Sequence, residues 1–367
     1  RSTDGGKTWS TVTVPTSQTL TDVSFPDAAN GYTVDTADAV RVTGNGGTQW
    51  TPIDIGDAPT VNALHAVDRN VVILFTQRGI WRSTSAADTS GGGTTFEPID
   101  NAKVKKTRFD DFDRTSGQAL FAYGPTSLWV SSDRGGSWRT VPGPVKKPKY
   151  ERVDFVTASA GFALTTDGRV WRTRNAGKKW TEVAATGNSH GFDLAFGDAR
   201  NGYLTIPSWG DAGPSGVVLH TSDGGTSWRP QIIEAGQLSP FGLEAPTGPA
   251  AFAFASQRDL FRTDAGGDLG DASTITVTPA AKKLKKAAVD RLTVKLAPGV
   301  SGARVVLLAR SGKNGRWAVV ADALTRGGGT LTIDRRIKAT TQFVAQWAGD
   351  ADRNGDGSPL VTVTVGK

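Results

Sequence analysis

Five segments place an acid or its amide, a run of glycine and a tryptophan at fixed spacing. The first is Ser2-Thr3-Asp4-Gly5-Gly6-Lys7-Thr8-Trp9; residues 43–50, 131–138, 173–180 and 221–228 repeat it. Residues 91–96 and 263–267 are degenerate copies. The chemistry open to Asp4, Asn45, Asp133, Asn175, Asp223 and Asp264 is hydrogen-bond acceptance: Asp or Asn in a tight turn takes nearby backbone N–H groups. The glycines supply positive φ where the chain reverses. Trp9, Trp50, Trp138, Trp180 and Trp228 each open the next strand and are expected to wedge between neighbouring sheets. In this pattern the acids read as structural staples.

Other reactive groups are sparse. Cysteine is absent, which removes disulfides, thiol catalysis and cysteine-ligated metals. Only His65, His190 and His220 exist, without metal-ligand spacing. There is no phosphate-cradling glycine loop and no Ser/His/Asp arrangement. Glycoside hydrolysis needs paired carboxylates, or a Tyr–Glu nucleophile with an arginine cluster. Tyr150 and Glu151 are adjacent, so a strand points them to opposite faces. Arg82, Arg172 and Arg262 recur at equivalent repeat positions, which suits a shared structural role. The reading leans against an enzyme and keeps a glycoside hydrolase as the alternative. One candidate metal loop stands out: Asp350, Asp352, Asn354 and Asp356 follow the first half of a calcium-binding loop, although its twelfth position is Val361 and no helices flank it. The competing reading is an Asx- and Gly-rich loop between strands.

These residues must be positioned by a repeated unit. The turn acids, or their equivalents, fall at 4, 45, 91, 133, 175, 223 and 264, at spacings of 41, 46, 42, 42, 48 and 41. Before several turns comes a short apolar run ending in Ser or Thr, such as Ile80-Trp81-Arg82-Ser83, Leu128-Trp129-Val130-Ser131 and Val170-Trp171-Arg172-Thr173. Earlier in several units stands Phe-x-x-Ala-x-x-Gly-aromatic, from Phe25 to Tyr32, Phe155 to Phe162 and Phe196 to Tyr203. Alternation and β-branched residues mark strands, and about four fit in each unit, the size of a propeller blade.

The repeat resembles the Asp-box, or bacterial neuraminidase repeat, propellers. Within them it is most similar to photosystem II stability/assembly factor-like proteins, on the turns at residues 2–9 and 221–228. The resemblance covers roughly residues 1–272 and implies an all-β propeller of six to seven blades. Residues 8–14 are either the outer strand of a blade that begins upstream or the closing strand of the last blade. Methionine is absent even at position 1, so a processed or trimmed piece is expected, with any export signal upstream.

After Asp264 the repeat stops. Residues 273–289 read as a strand and a basic linker. Residues 290–367 read as a β-sandwich of about seven strands with runs at 291–296, 303–309, 317–321, 329–333, 341–347 and 360–365. This part resembles bacterial immunoglobulin-like or fibronectin-type modules. The net charge of +7 belongs here: residues 273–367 hold 16 Lys/Arg against 6 Asp, and the remainder is net −3. A uniformly basic nucleic-acid binder has no such asymmetry. No run of 18 apolar residues is present.

Ligand chemistry is expected on the loops opposite the turns. Lys105 and Lys106, Lys147, Tyr150 and Arg152, His190, and Trp209 with Asp211 supply basic, aromatic and acidic groups. Such a mixture suits an acidic peptide or a glycan. The expectation is an extracytoplasmic binding or scaffolding protein with a protein or glycan ligand. Its basic sandwich would face an anionic cell-envelope polymer, and calcium would be confined to the C-terminal part.

Overall fold

The structure is a computed structural model that describes residues 1–83, 95–115, 119–183, 193–208, 215–232, 240–255, 260–264, 266, 271–312, 315–350 and 352–366. Regular structure among them is β throughout, apart from one 3-10 turn at Val104–Lys106. No helix is long and apolar enough to cross a membrane.

The chain forms two compact units, Arg1–Ser159 with Ala176–Lys178, and Ala160–Asn175 with Lys179–Lys367. The first unit holds three four-stranded antiparallel sheets with strands in chain order: Leu20–Ser24 to Thr51–Ile53, Val61–Asp68 to Phe96–Pro98, and Asp111–Arg114 to Arg139–Val141. It ends in the strand Tyr150–Phe155. The second strand of a sheet is withdrawn from water along its length because both its faces are covered. Gly31–Asp35, Leu120–Gly124 and, in the second unit, Gly161–Thr165 are buried at every position. Neighbouring sheets interlock through aromatic rings: Phe155 stacks on Phe121 at 3.5 Å, and in the second unit Phe196 stacks on Phe162 at 3.4 Å between centroids.

The second unit continues with Gly161–Thr165, Val170–Thr173 and Trp180–Glu182, then a four-stranded sheet from Asp193–Phe196 to Arg229–Ile232, then three strands, Pro240–Thr247, Ala250–Ala255 and Leu260–Thr263. The same unit carries the C-terminal strands. Thr274–Pro279, Ala288–Ala297 and Thr330–Ile337 form one sheet. The other is built on Val361–Val365, Thr341–Gly349, Arg304–Ser311 and Ala318–Leu324, with Lys283–Leu284 and Asn354–Gly357 at its margins. Strict alternation along Ala288–Ala297 turns Leu292, Val294 and Leu296 toward Val305, Leu307, Phe343, Ala345 and Trp347 of the other sheet, giving one apolar cluster.

Two expectations need correction. Residues 8–14 form no strand, so they close no blade in this structure. Asn354–Gly357, expected as loop, is a strand paired with Thr341–Gly349.

Candidate functional site

The repeated turns have one bonding pattern. The hydroxyl that opens each of four turns accepts the N–H of the glycine four residues on: Ser2 from Gly6 at 2.7 Å, Thr43 from Gly47 at 2.9 Å, Ser131 from Gly135 at 2.8 Å and Thr221 from Gly225 at 2.9 Å. The same hydroxyl donates to the turn acid or amide, as Thr221 does to Asp223 at 2.9 Å and Thr173 to Asn175 at 3.1 Å. The acid or amide oxygen then accepts the N–H four residues on, at 2.8–3.0 Å: Thr8 to Asp4, Gln49 to Asn45, Ser137 to Asp133, Lys179 to Asn175 and Ser227 to Asp223. The Thr8 hydroxyl and amide hold Asp4 far below the usual carboxylate range. Burial pushes Asp133 up, but the Ser137 hydroxyl and amide outweigh it and leave it lowered. Carboxylates bonded in this way hold a hairpin closed and are poor proton donors at neutral pH.

Trp138 and Trp228 are buried, each donating its indole N–H to the glycine carbonyl three residues back at 3.1 Å. Trp50 and Trp180 are half-buried. Trp9 makes the same bond to Gly6 at 3.0 Å, yet its ring is 57% exposed, contrary to the wedge expected of it. Residues 1–19 form no strand, so no sheet of its own supports that ring. The recurring arginines latch onto later turns: Arg1 donates to Gly46 O at 3.3 Å, Arg82 to Arg134 O at 3.4 Å, and Arg172 to Gly224 O. Arg262 instead pairs with Asp264 of its own turn.

A second set of acids was not singled out in the sequence. It lies on the first strand of three sheets, where a carboxylate or hydroxyl accepts a backbone N–H from the next sheet's first strand. Asp22 takes Leu64 N–H at 2.8 Å, Ser24 takes Ala66 N–H at 3.0 Å, and Asp113 takes Phe155 N–H. In the second unit Asp193 takes Leu243 N–H at 2.7 Å. The legible signal was the position three residues before Phe25, Phe155 and Phe196, which holds Asp22, Arg152 and Asp193.

In the first unit this position brings opposite charges together. Arg152 contacts the Asp111 carboxylate at 2.5 Å, and the Tyr123 hydroxyl donates to the same oxygen at 3.2 Å. The Tyr123 and Tyr150 rings meet edge-on at 6.4 Å. Tyr150 is buried and Glu151 exposed, the opposite facing expected of adjacent strand residues. The Tyr150 hydroxyl is buried with no partner among the described residues, and burial pushes its pKa up. Burial raises Asp22 to about 6; the Leu64 and Val23 amides and the Arg152 charge pull the other way, and Asp111 adds to the rise. Burial likewise pushes Asp113 up. Asp111, Arg152, Tyr123 and Tyr150 thus form a cluster in which a half-buried ion pair lies against two buried tyrosine rings.

Of the remaining candidates, Lys106 and Lys147 are exposed and Lys105 pairs with Asp100 at 2.9 Å. His190, Trp209 and Asp211 lie outside the described residues. In the calcium-like loop, Asp350 bonds Arg353, and Asp356 accepts Ile275 N–H at 2.8 Å with Arg229 3.9 Å away. Asn354 N–H bonds Asp271 O at 2.9 Å. Among the described residues no three of His, Cys, Asp or Glu are grouped so as to hold a metal ion.

Comparison with solved structures decides the architecture. YCF48 bound to a D1 peptide superimposes with a TM-score of 0.56 at 16% identity, over 71% of this chain and 85% of that one. The fold is a β-propeller. A second YCF48, from Cyanidioschyzon merolae, aligns at 15% identity over 68% of this chain and 97% of that one, with a TM-score of 0.45. Among curated proteins the propeller chain is similar to two xyloglucanases. That of Hypocrea jecorina (strain QM6a) is 25% identical over 207 residues, 43% of this chain and 24% of the relative. That of a Paenibacillus species is 24% identical over 265 residues, 62% of this chain and 23% of the relative. The matched stretch thus spans about a quarter of the length of either xyloglucanase. No family model matches the chain.

Proposed function

We propose that this propeller is a non-catalytic binding or scaffolding protein of an extracytoplasmic compartment, which recognises an extended segment of a protein partner. The observation that carries the reading is the Asp111–Arg152 pair beside Tyr123 and Tyr150. A half-buried guanidinium and carboxylate, backed by two buried tyrosine rings, offer a peptide charge complementarity on a rigid support. The likeness to a propeller described as bound to a peptide supports this choice over a glycan. On this reading the C-terminal sheets are an immunoglobulin-like sandwich whose positive charge faces an anionic envelope polymer, and the turn acids are Asp-box staples.

The second reading is a glycoside hydrolase, favoured by the xyloglucanase relatives and by the raised pKa of Asp22 near Asp111. A raised carboxylic acid opposite an ionised one is the arrangement such chemistry uses. Against it, both Asp22 oxygens already accept backbone N–H groups and Asp111 is paired with Arg152.

One experiment separates the two. The chain is screened against an array of acidic and neutral peptides and, in parallel, incubated with xyloglucan oligosaccharides. The binding reading expects peptide capture that Arg152→Ala weakens at least tenfold, with no new reducing ends. Reducing ends that disappear in Asp22→Asn and Asp111→Asn would establish the hydrolase instead.

A further inference from the structure

The C-terminal strands carry the excess positive charge, and the structure pairs part of it and leaves a cluster of it exposed. Five arginines are neutralised where they stand: Arg291 by Asp334 and Arg304 by Asp322, both at 2.7 Å, Arg310 by Glu182 at 2.6 Å, Arg316 by Asp167 at 3.7 Å, and Arg353 by Asp350. Lys282, Lys283, Lys285, Lys286, Arg336 and Lys338 are all exposed, and none makes an ion pair among the described residues.

Strand register gathers these six at one end of the two C-terminal sheets. Ala287 N–H bonds Ile337 O at 2.9 Å, and Val289 lies opposite Arg336, so the lysine run meets the end of Thr330–Ile337. Thr364 N–H bonds Lys282 O and Gly366 N–H bonds Leu284 O, both at 2.9 Å, which ties the run to the last strand. Of the acids on these strands, Asp290 is buried, with its Oδ1 accepting the Ala281 and Arg291 amides, and Asp334 is paired with Arg291. Among the described residues, therefore, no acid pairs with the six cations.

We propose that this end is a docking surface for a linear polymer of phosphate groups. It deepens the envelope half of the function proposed above and rests on it. Lysine ammonium groups are compact point charges with three donors, suited to phosphate oxygens arriving from several directions. Residues 280–290, 335–340 and 364–366 contain no aromatic ring, so there is no platform on which nucleic-acid bases stack. Leu284 is half-buried and Val289 is the one exposed aliphatic side chain larger than alanine on residues 280–290, too little apolar surface to enter a lipid interface.

The test uses the whole chain and long-chain inorganic polyphosphate, titrated at 50 and 200 mM salt. Two variants are compared with the parent: Lys282→Gln/Lys283→Gln/Lys285→Gln/Lys286→Gln, and the control Lys146→Gln/Lys147→Gln/Lys149→Gln. The expected result is salt-sensitive binding that the first variant weakens at least tenfold and the control leaves within twofold. Each lost phosphate contact lowers the log–log salt slope by about 0.7, so the slope of the first variant falls by about 3. Equal weakening in both variants, or none in the first, overturns the proposal. So does tighter binding, at equal anionic charge, to phosphatidylglycerol vesicles or to a DNA oligonucleotide. Retention on an anionic cell-wall preparation is read in parallel: polyphosphate binding without retention upholds the surface and removes the envelope reading.

Discussion

The carboxylate of Glu182 lies 2.6 Å from the guanidinium of Arg310, with both side chains largely withdrawn from water. Glu182 ends the strand that follows the Asn175 turn; Arg310 belongs to a C-terminal strand and is further held by two bonds to Gln342 and by the Trp317 ring at 5.0 Å. Nearby, Gln346 donates to Trp228 O at 3.4 Å. A cavity of about 160 Å³ borders this contact, lined by Glu182, Arg310, Trp228 and Trp317 among others. In the second unit, therefore, the C-terminal strands are bonded directly to blade strands.

Removing one member of that pair strands a buried charge. Glu182→Ala is expected to cost about 3 kcal/mol in urea unfolding, and Arg310→Met a similar amount. The double variant Glu182→Leu/Arg310→Met is expected to recover most of the loss, because neither charge remains. Additive losses in the cycle would show that the two residues act separately.

The turn acids act as acceptors. Asp223 receives the Thr221 hydroxyl, the Ser227 amide and the Ser227 hydroxyl. Asp223→Ala is expected to cost about 1–2 kcal/mol, and Asp223→Asn less than half of that, since positions 45 and 175 already use the amide. Chemical denaturation of the two variants decides it; a larger loss for Asn than for Ala would refute the acceptor role.

Asp22 sets a pH dependence. Its carboxyl is raised to about 6 in the folded chain from an ordinary value near 3.8. The folded state thus favours the protonated form. The stability this adds is complete below pH 3.8 and is lost as pH rises through about 6. Asp22→Asn, which keeps an oxygen for Leu64 N–H, should gain stability relative to the parent as pH moves from 4 to 7. Parallel curves for the two proteins across that window would count against the assignment.

Gly225 has φ of +82°, and a Cβ added there would lie 2.9 Å from Val183 Cγ2. Gly225→Ala is expected to lower the thermal midpoint measurably, through backbone strain and contact together. Gly5, also at positive φ but with open space around its Cβ position, isolates the strain alone. Equal midpoint losses in Gly5→Ala and Gly225→Ala would leave the Val183 contact without effect.

Much of the strand pattern was legible in the chain. The runs ending at Ser83, Ser131 and Thr173 end there in the structure, and at Ser131 and Thr173 the closing hydroxyl bonds an oxygen only two residues on, within reach of a local reading. The inner-strand acids were harder to read. Asp22 and Leu64 are 42 residues apart, and nothing local distinguishes an aspartate that bonds another sheet from one that faces water. Arg152 was noted as a loop cation, but its partner Asp111 emerges only when two first strands lie side by side.

The sequence by itself determined the repeat, the turn chemistry and the β character of the chain, because these arise from hydrogen bonds and alternation within a few residues. Only the tertiary structure decided which charges meet. It brought Arg152 to Asp111 and Arg310 to Glu182, and it left Lys282, Lys283, Lys285 and Lys286 without an ion-pair partner among the described residues. A charge pair depends on separation in space, and separation along the chain does not specify it.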